Sequence, residues 1–233
     1  MKQLITNFTG AVSVAVAGCG GTGSQMLVAL ARLNQAMTAL GGCRLSVVCY
    51  DPDTVSAANC ARQAFYDCDI GQNKAHVLAK RLGICFPGFK ISGFAEKYDG
   101  HHRTDILISC VDSRAARRSV SEKRNTRYHI DCGNGPDYGQ VLLGCGSKLL
   151  PWPETAEPDL VADVPEDNAP SCSMAEALEK QELFVNDFAV RITSVILWDM
   201  FRHGGTDIKG AYYTTSPVRI TPAMIKKDLR SKK

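Results

Sequence analysis

The sequence has no CxxC pair, no long apolar run, no large charge of either sign and no internal repeat. Each absence removes a class of protein. Ten cysteines are present, yet none is spaced as the paired ligands of a four-cysteine zinc site, so no structural zinc is expected. Several fall in segments that read as buried strands, which suits reduced thiols in a cytoplasmic protein. No apolar stretch approaches the roughly 20 residues that span a bilayer, so no membrane association is expected. A net charge of +3 is too small to argue for nucleic acid, and part of the excess sits in the closing KKDLRSKK, which reads as a solvated end. With no interdomain linker either, 233 residues at 45% hydrophobic content fit a single domain, 1–233, with a full core. Lys2 and the apolar stretch ending in Val16-Ala17-Gly18-Cys19 imitate a lipoprotein signal. That run is short, and the GGTGS motif that follows the cysteine makes immediate sense as a phosphate-binding turn, so export is not expected.

What is present is concentrated between Val14 and Lys74. Val12 to Ala17 have the small and β-branched composition of a strand buried on both faces. Gly18 to Gly23 turn the chain, and Met26, Leu30, Leu33, Met37 and Leu40 then mark a helical seam over 24–40 that Gly41-Gly42 stop. Leu45 to Tyr50 reads as a second strand. A short helix near Ala57 to Arg62, an amphipathic helix over 71–82, strands over 90–95 and 105–110, and a basic helix from Arg114 to about Arg124 follow. Strands over 128–132 and 140–143 flank the turn GNGPDYG. This alternation predicts an α/β, Rossmann-like doubly wound sheet, mostly parallel, with antiparallel strands in the C-terminal half.

Residues 146–171 are rich in proline and acidic side chains with little periodicity, and are expected to form a long, mobile loop. Ser173-Met174-Ala175-Glu176 matches a helix capping box, and the apolar positions after it predict one helix to about Phe201, placed in the core or at a dimer contact. Lys209 to Thr214 reads as a last strand, and residues 216–233 as a C-terminal tail.

Gly18, Gly20 and Gly23 give GxGxxG directly after a strand and before a helix, where backbone N–H groups approach a phosphate. Asp51, at the end of the second strand, is placed to accept hydrogen bonds from ribose hydroxyls. Both features fit a nicotinamide dinucleotide or ATP. Asn59, Arg62 and Lys74 tilt the balance, because two cations after the second strand suit a triphosphate and the charge that grows on its α-phosphate. Asp112 follows the strand over 105–110, at the sheet edge where ligands of open α/β folds bind, and a lone carboxylate there suits magnesium. Each residue alone reads as a surface charge; together they read as a site.

At this point the segments GCGGTGS, DPDTVSAANCARQ, DIGQNKA and ISCVDS resemble the ThiF/MoeB superfamily, the adenylating domain shared with ubiquitin-activating enzymes, in order and spacing. The segment PSCSMAEALEKQ resembles that family's crossover-loop cysteine and following helix. In finer detail the chain looks closest to the ThiF-like proteins of the PRTRC mobile-element system. The resemblance implies that Gly18, Gly20, Gly21 and Gly23 cradle ATP phosphates, that Asp51 holds the ribose, and that Arg62 and Lys74 contact the triphosphate. Asn59 would order the loop or the phosphates, and Asp112 would bind magnesium. It further implies a substrate in the C-terminal glycine of a β-grasp, ubiquitin-like protein, a homodimer, and a conjugating-enzyme-like partner. Cys172, just before the capping serine, is the candidate nucleophile for thioester formation or sulfur transfer; its alternative is packing under the helix start. The chain departs from the family in its missing CxxC pairs, in Ser113 where Asn is common, and in having no arginine before Arg32. A slow enzyme, or one completed by another protein, would follow. An ATP-binding scaffold without adenylation, and a nicotinamide-dependent oxidoreductase, are the alternatives.

Overall fold

The computed structural model describes residues 4–60, 62–164 and 174–225. In chain order the elements are β1 (Leu4–Ile5), β2 (Ala11–Ala17), α1 (Gly21–Ala39), β3 (Arg44–Tyr50), α2 (Lys74–Cys85), β4 (Lys90–Phe94), β5 (Thr104–Ser109) and α3 (Arg114–Glu122). After these come β6 (Thr126–Asn134), β7 (Tyr138–Gly144), α4 (Pro153–Ala156), α5 (Met174–Lys180), α6 (Val185–Arg202), β8 (Gly205–Thr206), β9 (Ile208–Thr215) and β10 (Val218–Met224). The main sheet runs β10-β9-β7-β6-β5-β2-β3-β4. Strands β6, β5, β2, β3 and β4 are parallel neighbours, whereas β7, β9 and β10 extend the sheet antiparallel. The expected doubly wound α/β sheet with an antiparallel C-terminal part is what forms.

The alternation of β2 explains the layering. Val12, Val14 and Val16 point into the larger core with Met26, Leu27 and Leu30 of α1, Leu78 of α2 and Ile196 of α6. Ala15 and Ala17 point to the other face, against Leu107, Tyr98 and Val120 of α3. Alanine is the size that lets this second layer approach, and each buried valine contributes about 1.5–3 kcal/mol. From β2 the chain winds one way to β3 and β4 and the other way to β5 and β6. The strand order therefore reverses beside β2, and the carboxyl ends of β2 and β5 open there.

Four expectations need correction. The first helix starts at Gly21, so the turn is confined to residues 18–20 and Gly23 lies within the first helical turn. The single helix expected up to Phe201 is two, α5 and α6, broken at residues 181–184. The break has a non-local cause: the Glu182 N–H donates to the Pro136 carbonyl at 2.8 Å, and the Gln181 carboxamide donates to the Gly135 carbonyl at 2.9 Å. The stretch from 146 carries α4 and a 3-10 turn at Pro158–Val161, both opened by proline in the first turn, and Arg118 donates to the Val161 carbonyl at 2.9 Å. Residues 218–224, expected as tail, form β10 on the edge of β9. The capping box falls on Ser173, outside the described residues. Among the described residues no helix is long and apolar enough to cross a membrane.

Candidate functional site

A cavity of about 490 Å3 opens at the reversal of strand order, over the ends of β2, β3 and β5. Its floor is the turn between β2 and α1. Gly18 has φ +89, a conformation that strains any L side chain, and a Cβ there would stand 2.8 Å from the Cys110 carbonyl oxygen. Gly23 packs the first turn of α1 so closely on this loop that a Cβ would meet the Gly18 carbonyl. The turn is held by the Gly18 N–H donating to the Tyr50 carbonyl at 2.9 Å. Gly20 is the N-cap of α1 and brings no side chain to cap it, so the first N–H groups of the helix face the cavity mouth with its positive dipole end.

Asp51 leaves β3 only 5% exposed. Its carboxylate accepts from the Cys19 N–H at 2.6 Å and the Asp53 N–H at 2.9 Å, which ties the second strand to the glycine turn. Burial raises its pKa above the ordinary carboxylate value, against the opposing pull of the Cys19 N–H and the Lys74 charge. The excursion from β3 to α2 returns to its start: the Lys74 N–H donates to the Asp53 carbonyl at 3.0 Å, and Asn73 caps α2 by accepting from the His76 N–H at 3.0 Å. Lys74 is buried at the first position of α2, with its ammonium 3.2 Å from Asp53 Oδ2. Arg62 is half-buried. One of its Nη groups donates to Gln181 Oε1, while its Nε is buried without a hydrogen-bond partner. Burial lowers the Arg62 pKa, and the nearby Asp112 charge partly restores it. Asp112 is exposed on the rim, one residue before Ser113, whose hydroxyl caps α3 by accepting from the Ala116 N–H at 3.1 Å.

The cavity thus brings together Gly18, Gly20, Gly21, Asp51, Arg62, Lys74 and Asp112. Gly23 and Asn59 do not line it. Asn59 instead closes the 3-10 turn Ala57–Asn59, its Oδ1 accepting from the Ser56 N–H at 2.9 Å. Cys172 lies outside the described residues.

Sequence reading missed the opposite wall. Asn186, in the first turn of α6, accepts from Thr22 at 3.0 Å and from the Asn134 carboxamide at 2.9 Å, and donates to Gln181 Oε1 at 3.2 Å. Tyr213 of β9 donates to Asn134 Oδ1 and also to the Val185 carbonyl, the latter at 3.0 Å. Arg117 of α3 also lines the cavity and pairs at 3.4 Å with Asp131, which is buried within β6. Asn134 had a signal, since it sits in the GNG turn after a strand. Asn186 and Gln181 had none, because the groups they meet in the cavity wall, Thr22, Asn134, Gly135 and Arg62, come from other elements far along the chain.

The ThiF family model matches residues 9–133. The chain belongs to the ThiF family. That match covers the glycine turn, Asp51, Arg62, Lys74 and Asp112, and ends one residue before Asn134. The fold is shared with solved structures at low identity. MccB from E. coli with succinimide superposes with a TM-score of 0.64 at 17% identity, over 94% of this chain and 66% of that one. MccB from E. coli with ATP gives 0.63 at 17%, over 94% and 65%. Selenomethionine PaaA gives 0.61 at 16%, over 93% and 64%. The chain therefore spans just under two thirds of the length of these solved structures. A comparison with curated proteins finds no match.

Proposed function

We propose that this chain is an ATP- and magnesium-dependent adenylyltransferase that activates the C-terminal glycine carboxylate of a ubiquitin-like, β-grasp protein. The observation that carries the reading is the union, in one cavity, of a glycine turn at a helix N-terminus, a ribose-type carboxylate and two sequestered cations, Arg62 and Lys74. The cavity suits a triphosphate: Arg62 keeps a buried Nε free of any hydrogen bond, and no side chain caps α1. The structures of E. coli MccB with ATP, and with AMPCPP and MccA together, support a nucleotide site that also admits a second ligand.

In this reading the N–H groups opening α1 receive the phosphates, and Asp51 accepts from the ribose on the lone pairs its backbone donors leave free. Arg62 and Lys74 neutralise the triphosphate. The substrate carboxylate oxygen forms a bond to the α-phosphorus as the bond to the β-phosphate bridging oxygen breaks, giving acyl-adenylate and pyrophosphate. No protein nucleophile takes part in this step, which is catalysed by positioning and by charge. Among the described residues no group of three or more His, Cys, Asp or Glu is placed to hold a metal. Asp112 alone would hold magnesium, leaving its other positions to water and phosphate oxygens. Magnesium would supply further charge neutralisation on the phosphates.

The finer parts of the proposal are membership of the PRTRC-associated branch, a small ubiquitin-like partner, a conjugating-enzyme-like partner, a homodimer, and Cys172 as acceptor of the activated acyl group. ATP–pyrophosphate exchange tests the core of it. Exchange that depends on a partner supports the adenylyltransferase. ATP binding with no exchange under any partner favours a scaffold, and preferential binding of NAD would remove both ATP readings. A thiol-sensitive adduct with the partner that persists in Cys172→Ala would exclude that cysteine.

A further inference from the structure

Arg62 and Gln63 also line a second hollow, of about 300 Å3, so they form part of the wall between the two. This hollow lies along one face of α1, where Gln25 and Arg32 stand seven residues apart and project the same way. Arg191 of α6 and Tyr66 complete its rim. Three arginines therefore line the hollow, and no carboxylate does. Arg32 and Arg191 are exposed, and none of the three arginines forms an ion pair among the described residues. At the shared wall the buried Nε of Arg62, a donor, has no hydrogen-bond partner.

Like charges gathered about a concave surface repel one another unless an anion joins them, and guanidinium groups match phosphate oxygens with paired, directional hydrogen bonds. A single carboxylate would leave most of this charge uncompensated. We infer that the hollow is a second anion site, distinct from the nucleotide cavity, and that it takes pyrophosphate. The choice of pyrophosphate among phosphate-class anions rests on the adenylation reading, in which that product forms on the other side of Arg62. The anion site itself rests only on the three arginines, the unpartnered Arg62 Nε and the absence of a lining carboxylate.

The test is calorimetric titration of pyrophosphate into the full chain at constant ionic strength, with AMPCPP first saturating the nucleotide cavity. Saturable binding of about one pyrophosphate is expected. The double variant Arg32→Ala/Arg191→Ala, altered only at exposed side chains, is expected to weaken it at least tenfold while AMPCPP affinity stays within about twofold. No saturable binding in the presence of AMPCPP, or affinity unchanged in the double variant, overturns the site. Sulfate competing as well as pyrophosphate overturns the assignment to pyrophosphate. If AMPCPP itself fails to bind, the adenylation reading falls instead. Pyrophosphate titration of the nucleotide-free chain then decides the anion site alone, a tenfold loss in the double variant supporting it and no loss overturning it.

Discussion

Gly18 shows how one residue constrains the site. Its φ of +89 and the 2.8 Å approach a Cβ would make to the Cys110 carbonyl leave no room for a side chain. Gly18→Ala is expected to cost about 1–3 kcal/mol from backbone strain, more if the clash cannot relax, measured by chemical denaturation. His129 makes a different prediction at the same scale. It is 1% exposed, its Nε2 lies 3.1 Å from the Ser109 hydroxyl, and burial pushes its pKa down to about 3. A base whose folded pKa is depressed adds stability that is whole above its unfolded value, about 6.5, and is lost as pH falls toward the folded one. Its imidazole is therefore expected to stay neutral at pH 5 by NMR; a resonance titrating near 6.5 would contradict the buried placement. Asp51 carries the opposite sign. Its raised pKa means that its contribution to stability is present below the ordinary carboxylate range and lost as pH rises through the folded value. If the ribose needs the ionised form, nucleotide binding weakens on acidification sooner than for an exposed aspartate.

Elements differ in how much of them the sequence reveals. The unit β2–α1–β3 was legible because its signals are local: a two-sided strand, a glycine turn, a helical seam and a Gly-Gly stop. The start of α1 was misjudged because Gly21 and Gly23 have low helix propensity, yet close packing on Gly18 and Asn186 places them in the first turn. The break between α5 and α6 was not legible at all. No glycine or proline marks it, and its cause lies in the Gly135-Pro136 turn. Strand β10 was hidden because its alternation, Val218 to Thr221, lasts only four residues before Pro222 interrupts it. Asn186, at the head of α6, carries a prediction at this scale. Asn186→Ala leaves Thr22 and Asn134 without their shared acceptor and is expected to destabilise the chain by about 1–3 kcal/mol in thermal or chemical melts. If the network only decorates the surface, the change would stay within about 0.5 kcal/mol.

For the molecule as a whole, topology does the positioning. The chain winds in both directions from β2, so residues from the turn after β2, the loop after β3, the start of α2 and the loop after β5 arrive at one cavity. This convergence was implied by the order of motifs. The second wall, from the end of β6, Gln181 and the start of α6, needed the tertiary structure. A ligand that binds only the folded chain must stabilise it, so ATP at one hundred times its dissociation constant is expected to add about 2.7 kcal/mol, read as a raised melting temperature. NAD at the same molar concentration producing the larger rise would argue for the oxidoreductase class.

The central claim is that Arg62 and Lys74 make this cavity a catalyst of adenylation. Lys74 is buried in the wall, with only the exposed Asp53 as its ion-pair partner among the described residues, so its removal is expected to act on chemistry more than on folding. The decisive measurement is ATP–pyrophosphate exchange with a ubiquitin-like protein ending in glycine, comparing the native chain with Lys74→Ala. The account predicts partner-dependent exchange that falls by about 100-fold or more in the variant while its melting temperature stays close to native. Exchange undiminished in Lys74→Ala, or ATP bound with no exchange under any partner, would contradict it.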